Sequence, residues 1–161
     1  MPDDPYRAAI GRRRNEIETP ALLVDLDVAR RNISTMAGHM QRAGKHLRPH
    51  TKTHKTPQIA RLQVEAGAIG VSTATAWEAV VMLEAGIDDI LVANEVVGPG
   101  RIRALAEAAR GGRVTVAVDS AANLDDLSAA AVAAGSTIGV VVEVDVGMNR
   151  GGVRSKEEAF E

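Results

Sequence analysis

The sequence predicts an α/β fold built from parallel strand–helix units, and three observations carry that expectation. Short apolar runs, IGVSTA (69–74), DDILVA (88–93) and RVTVAV (113–118), alternate with helical patterns, as strands buried on both faces do. A weak internal repeat marks the joints. EAGAIGVSTA (65–74), EAGIDDILVA (84–93) and AAGSTIGVVV (133–142) each read as helix end, glycine, short loop and buried strand. Glycine fits there because it accepts the left-handed conformation that ends a helix. Lastly, polar residues collect at the C-terminal ends of successive strands: Lys52, Thr73, Asn94, Asp119 and Asp145.

The elements follow in order. Residues 1–18 read as a flexible lead-in. TPALLVDLD (19–27) reads as a short apolar strand, and residues 27–43 carry Val28, Ile33, Met36, Ala37 and Met40 at helical spacing up to Gly44. Residues 46–52 read as a strand containing Pro49. Thr56 is the N-cap and Pro57 the first residue of a helix over 57–66. Thr75-Ala76-Trp77-Glu78 has the form of a capping box and opens a helix to about Ala85. Gly98-Pro99 opens the next helix, to about Arg110, and another runs from about Ser120 to Ala134. STIGVVVEVDV (136–146) reads as a long strand, after which Ser155 caps the start of a further helix.

Two architectures accommodate such units, an open doubly wound sheet and a (β/α)8 TIM-type barrel. The dinucleotide-binding open sheet should show G-x-G-x-x-G after its first strand, and the sequence has none. A site drawing on many strand ends suits a barrel. A complete barrel takes about 250 residues, and this chain has 161. The expectation is therefore a partial barrel, truncated within a longer fold.

Composition narrows the function classes. Aromatic residues make up 2% of the chain, so the core must be aliphatic, and stacking on nucleic-acid bases has few platforms. A formal net charge of -2 argues against a general polyanion binder. There is no cysteine, which excludes disulfides and thiolate metal sites and fits a cytoplasmic protein. The N-terminus MPDDPYRAAIGRRRNE lacks the apolar stretch of a secretory signal, and no run approaches the ~20 apolar residues of a membrane span. Neither a nucleic-acid nor a membrane partner is expected.

Against this near-neutral background, KHLRPHTKTHKT (45–56) holds seven Lys, Arg or His among twelve residues. As a helix it would align His46, His50 and His54 in a metal-binding stripe, but Pro49 disfavours helical geometry at Arg48. As a strand it places Arg48, His50, Lys52 and His54 on one face. That face is either a solvated surface or a site for something anionic, since a buried row of cations is costly without a counter-charge. Positive neighbours favour the neutral amine of a lysine, and a neutral lysine can form a Schiff base. An anionic aldehyde cofactor such as pyridoxal 5′-phosphate (PLP) would meet both conditions.

A second constellation is EVDVGMNRGG (143–152). A strand ends in two acids, Gly147 permits a turn, and Arg150 stands before two glycines. The planar fork of Arg150 suits a phenolate or carboxylate. In the plainer reading, Asp145 and Arg150 form a loop salt bridge of little energetic weight.

LRPHTKTHKT (47–56) together with VEVDVGMNRGGV (142–153) resembles the fold-type III PLP enzymes, the alanine racemase N-terminal-domain superfamily. TPALLVDLDVARRNI (19–33) and STATAWEAVVMLEAGIDDILVANEVVGP (72–99) are similar to its D-threonine aldolase and D-serine dehydratase branch. The resemblance spans roughly residues 19–154, and residues 19–161 then form the N-terminal part of a PLP-binding barrel with about five of its eight strands. It implies that Lys52 anchors PLP through a Schiff base and that Arg150 bonds the phenolic oxygen of the cofactor. For His50 and His54 two readings stay open, tuning Lys52 or a hydrogen-bonded structural role, with His50 counted among the cofactor-binding residues; Lys55, on the opposite face, is the lesser candidate for the Schiff base. The implied activity is a lyase acting on D-3-hydroxy amino acids by retro-aldol cleavage. The alternatives are a D-serine or 3-hydroxy-D-aspartate dehydratase, an amino-acid racemase, and a non-enzymatic PLP-binding regulator. In this family the ALLVDLD strand belongs with a C-terminal β domain. The phosphate loops come from later barrel strands, and a divalent metal site (Mn or Zn type) comes from the C-terminal domain. Homodimers are common in the family. The resemblance thus implies that these 161 residues alone would be inactive. One departure stands out: Asn94-Glu95 occupies a place where the aldolases are expected to carry Asn-Gln.

Overall fold

The computed structural model describes residues 5–160. The chain forms two compact units, one ending at Asn32 and one beginning at Ile33. Of the lead-in expected over residues 1–18, the first four residues lie outside the described ones. The first unit carries α1 (Pro5–Ala8) and a 3-10 turn at Arg14–Glu16, where the Glu16 carboxylate accepts from the Arg13 backbone N–H at 2.8 Å. The strand expected at TPALLVDLD does not form. Residues 21–25 have no regular structure, and Leu22 is 95% exposed. A strand needs a neighbour to take its backbone hydrogen bonds, and the sheet contains only strands of the second unit. Asp25 instead caps α2 (Leu26–Arg42), its Oδ1 accepting from the Val28 N–H at 3.0 Å.

The second unit is a parallel sheet in sequence order, β1 (Val71–Thr73), β2 (Asp89–Glu95), β3 (Arg113–Val118) and β4 (Ile138–Val142). It alternates with α3 (Pro57–Glu65), α4 (Ala76–Glu84), α5 (Pro99–Ala108) and α6 (Ala121–Ala134). The capping logic of the sequence holds. The Thr75 hydroxyl accepts from the Glu78 N–H, the Ser120 hydroxyl from the Asn123 N–H, and Gly135 closes α6 in the left-handed region at φ 63°.

Residues 47–50 run beside β1 as a fifth parallel segment. Ile69 N–H donates to Leu47 O at 2.9 Å, Ser72 N–H donates to Pro49 O at 2.8 Å, and His50 bridges Ser72. Pro49 is tolerated because it offers a carbonyl and is asked for no N–H. The strand expected to reach residue 146 ends at Val142, with Val144 adding only a single bridge to Val153. Beyond it the Ser155 hydroxyl accepts from the Glu158 N–H at 3.1 Å, but residues 156–160 form turns rather than a regular helix.

Strand register sorts the side chains. Val71, Ile90, Val92, Val114, Val116 and Val118 face the helices and pack with Met82, Ile102, Leu105 and Leu127. This aliphatic layer is the core. The opposite face carries His50, Ser72, Leu91, Thr115 and Gly139 across one row. Among the described residues no helix is long and apolar enough to cross a membrane.

Candidate functional site

The basic stretch does not stay on one face. Alternation ends at His50, because Thr51–Thr53 form a 3-10 turn. Two hydrogen bonds hold the turn. Buried Thr51 donates its hydroxyl to Ser72 O at 3.1 Å, and His50 Nδ1 accepts from the Lys52 backbone N–H at 3.3 Å. The cations then part company. Arg48 turns toward the N-terminal end of β2, where Nη1 lies 2.8 Å from Asp89 Oδ1 and donates to Asp89 O at 3.2 Å. Asp89 also pairs with Arg113. Burial opposes ionisation of Asp89, but the two guanidiniums outweigh it and hold its carboxyl below the usual range.

Lys55, at φ 50°, ion-pairs with Glu78 in the first turn of α4. Glu78 Oε2 also accepts from the Ala74 N–H at 2.8 Å. Burial works against its charge, yet Lys55, the Ala74 N–H and His50 together keep it more acidic than an ordinary glutamate. His54 is structural: its Nδ1 accepts from the Thr56 N–H at 3.0 Å, and burial favours its neutral form. His50 is likewise held toward neutrality, first by burial and then by the charge of Lys52, with Glu78 and a backbone bond to Ser72 opposing. Lys52 is exposed at the C-terminal end of its strand, its amine without a hydrogen-bond or ion-pair partner among the described residues.

The second constellation is a loop closed on itself. Val153 N–H donates to Glu143 O and Asp145 N–H to Val153 O, each at 2.9 Å, so the ends of the loop are stitched together. Inside it Asp145 Oδ1 accepts from Gly147 N–H at 2.9 Å and Asn149 N–H at 3.0 Å, and these bonds make it more acidic than usual. The salt bridge between Asp145 and Arg150 is absent: the carboxylate is committed to backbone donors. Gly152, at φ 95°, is required, since a Cβ would lie 2.7 Å from Asp145 N. Arg150 is exposed at the strand ends.

Of the predicted site residues, the structure joins His50 and Lys52 and puts Arg150 at the far edge of the row. No hydrogen bond or ion pair links Lys52 to Arg150 among the described residues. They end the first and last of five parallel segments, and in an eight-stranded barrel such strands face each other across the interior. Thr73 is not in the site: it is fully buried on the helix-facing side with Val71 and Val92. Asn94 donates to Ala74 O at 3.4 Å. Asp119 Oδ2 accepts from the Gly152 N–H at 3.1 Å.

Two residues escaped the sequence reading, Glu95 and Glu143. The β2–β3 register jumps from Val92↔Val116 to Glu95↔Ala117, which lowers Glu95 into the row of Ala117 and Val141. Such irregularities re-aim side chains near sites. The departure at Asn94-Glu95 was the signal for Glu95, and the two acids that end the strand of EVDVGMNRGG were the signal for Glu143.

An unpaired primary amine, an imidazole beside it held toward its neutral form and an exposed guanidinium suit an anionic aldehyde cofactor; these residues fit PLP. The fold and its strand-end site define a partial parallel α/β barrel. The chain belongs to the alanine racemase N-terminal domain family, whose model matches residues 24–161. A D-threonine aldolase of Arthrobacter sp. is 44% identical over 85% of this chain and 36% of its own length. A 3-hydroxy-D-aspartate aldolase of Paracoccus denitrificans is 41% identical over 94% of this chain and 40% of its own. The crystal structure of D-threonine aldolase from Filomicrobium marinum superposes with a TM-score of 0.87 at 45% identity, covering 91% of this chain and 40% of that one. The chain thus spans between 36% and 40% of the length of these relatives.

Proposed function

We propose that this chain is the cofactor-anchoring part of a PLP-dependent lyase acting on D-3-hydroxy amino acids, cleaving the Cα–Cβ bond to give glycine and an aldehyde. The observation that supports the reading is the contrast between two neighbouring lysines: Lys52 is exposed at a strand end with no partner among the described residues, whereas its rival Lys55 is ion-paired to Glu78. The aldolase relatives supply the substrate class.

Lys52 would hold the cofactor covalently, and Arg150 would bind its phenolic oxygen. When bound, PLP supplies the electron sink for charge developing at the substrate Cα. Burial and the charge of Lys52 hold His50 toward its neutral form, which disfavours a competing positive charge beside the amine. Its Nδ1 fixes the Lys52 backbone, which restricts where the amine can reach. Arg150 offers a permanent cation on a loop whose neck is locked by backbone bonds. A divalent metal and a homodimer belong to the same reading of the family. Among the described residues no group of three or more His, Asp or Glu could hold a metal.

The test is borohydride reduction of the protein with PLP, followed by peptide mapping, together with turnover of D-threonine and D-serine by the longest available form of the protein. Label on Lys52 with acetaldehyde and glycine from D-threonine supports the aldolase. Pyruvate from D-serine would make it a dehydratase, α-proton exchange alone a racemase, and label without turnover a PLP-binding regulator. Absence of label at Lys52 would overturn the assignment.

A further inference from the structure

Three carboxyl groups meet the Arg150 loop, one from each neighbouring strand end. Asp119 follows β3, Glu143 follows β4, and Glu95 reaches up from β2. Glu143 N–H donates to Val118 O at 2.9 Å, so the register persists and Glu143 stands on the same face as Val141. Glu95 arrives by the register jump that pairs it with Ala117. Its Oε1 is shielded from solvent and has no donor among the described residues. That oxygen packs on Gly151, where a Cβ would lie 2.9 Å away. Glu143 meets the next residue of the loop, its carbonyl carbon 3.0 Å from where a Cβ on Gly152 would sit, so the two acids converge on Gly151–Gly152, and both would be acceptors if both were ionised.

We propose that Glu95 and Glu143 hold one proton between them and act as a positioning pair for Arg150. The inference rests on the reading of Arg150 as an anion-binding group. Two carboxylates in contact and partly withdrawn from water repel, and a shared proton turns that repulsion into a hydrogen bond. Burial first, then the charge and hydrogen bond of Glu95, raise Glu143 above the usual glutamate range. Asp119 adds to this and Arg150 opposes it. These are the charged groups that face Glu143: Glu95 from β2, Asp119 from the end of β3 and Arg150 from the loop. Asp119 is already held by the Gly152 N–H. With the proton in place the pair carries one negative charge, and Arg150 stays available to an outside anion. Without it the pair carries two, and draws the guanidinium inward.

Infrared-detected pH titration of the purified chain tests the proton directly. The carbonyl band of a protonated carboxyl should persist above the ordinary glutamate range. It should vanish in Glu95→Gln and Glu143→Gln, where an amide donor replaces the proton. Gly151→Ala, which changes no charge and displaces the Glu95 carboxyl, should move the titration downward; this variant decides the matter if either glutamine variant fails to fold. Modification of Arg150 by p-hydroxyphenylglyoxal, followed by mass spectrometry, reads positioning. It should slow severalfold as the native pair ionises and stay flat in Glu95→Gln. A native chain with no persistent band, or Arg150 reactivity with the same pH profile in both forms, overturns the proposal. Loss of PLP fixation at Lys52 would overturn the functional reading while leaving the band unchanged.

Discussion

Lys55 is ion-paired to Glu78, whereas Lys52, three residues earlier, has no ion-pair or hydrogen-bond partner for its amine among the described residues. The partner comes from the N-terminus of α4, where the Ala74 and Glu78 N–H groups also hold the cap together. Two lysines three residues apart therefore meet different chemistry. Borohydride reduction with PLP should label Lys52, Lys52→Ala should abolish that label, and Glu78→Gln should create a second label at Lys55. Label confined to Lys55 in the native chain would reverse the assignment.

Arg48 and Asp89 tie the first segment of the sheet to β2. The Asp89 side chain is 10% exposed, so its charge depends on its two arginines. Asp89→Asn should destabilise the chain by about 3 kcal/mol, because it leaves Arg48 partly buried without its counter-charge. Arg113 is largely exposed and contributes less. Urea unfolding measures the difference.

The same pair gives a pH dependence of definite sign. The Asp89 carboxyl is more acidic folded than unfolded. Its contribution is therefore complete above the unfolded value of about 3.9 and is lost as pH falls through the lower folded value. Native chain and Asp89→Asn should converge in stability in strong acid. A difference that stays constant there would show that the ion pair is not its source.

His50 should remain neutral at pH values where an ordinary histidine is half protonated. Its folded value lies below about 6.5. Its contribution to stability is present above that value and is lost as pH falls through the folded one. An NMR titration of the imidazole reads this directly, and Lys52→Ala should move the midpoint upward by removing a positive neighbour.

The Arg150 loop should be intolerant at Gly152. A Cβ there would lie 2.7 Å from Asp145 N and 2.8 Å from Val144 C, both backbone atoms that cannot swing away. Gly152→Ala should weaken PLP binding severalfold while leaving the circular dichroism of the sheet and helices intact. Leu105→Ala, in the fully buried layer, should do the opposite, costing about 2–5 kcal/mol of stability. Equal effects of the two variants on binding would deny the loop a special role.

The sequence by itself determined the parallel α/β class and most of its strand–helix order, and it marked the two stretches that hold the candidate site residues. Those features are local: Thr75 and Ser120 cap their helices, Gly135 ends one, and RVTVAV spans the residues of β3. The resemblance carried by LRPHTKTHKT and VEVDVGMNRGGV added the family. Contacts distant in sequence decided the rest. ALLVDLD has strand composition yet forms none, because no described residue offers it a ladder. Alternation predicted one face for Arg48, His50, Lys52 and His54, but hydrogen bonds from Thr51 to Ser72 and from Lys52 to His50 curl the chain into a turn. Partners far along the chain, Asp89 for Arg48 and Glu78 for Lys55, then divide the cations between structure and site. Glu95 was invisible as a site residue because its place depends on a register jump between β2 and β3, a property of pairing that no single strand encodes.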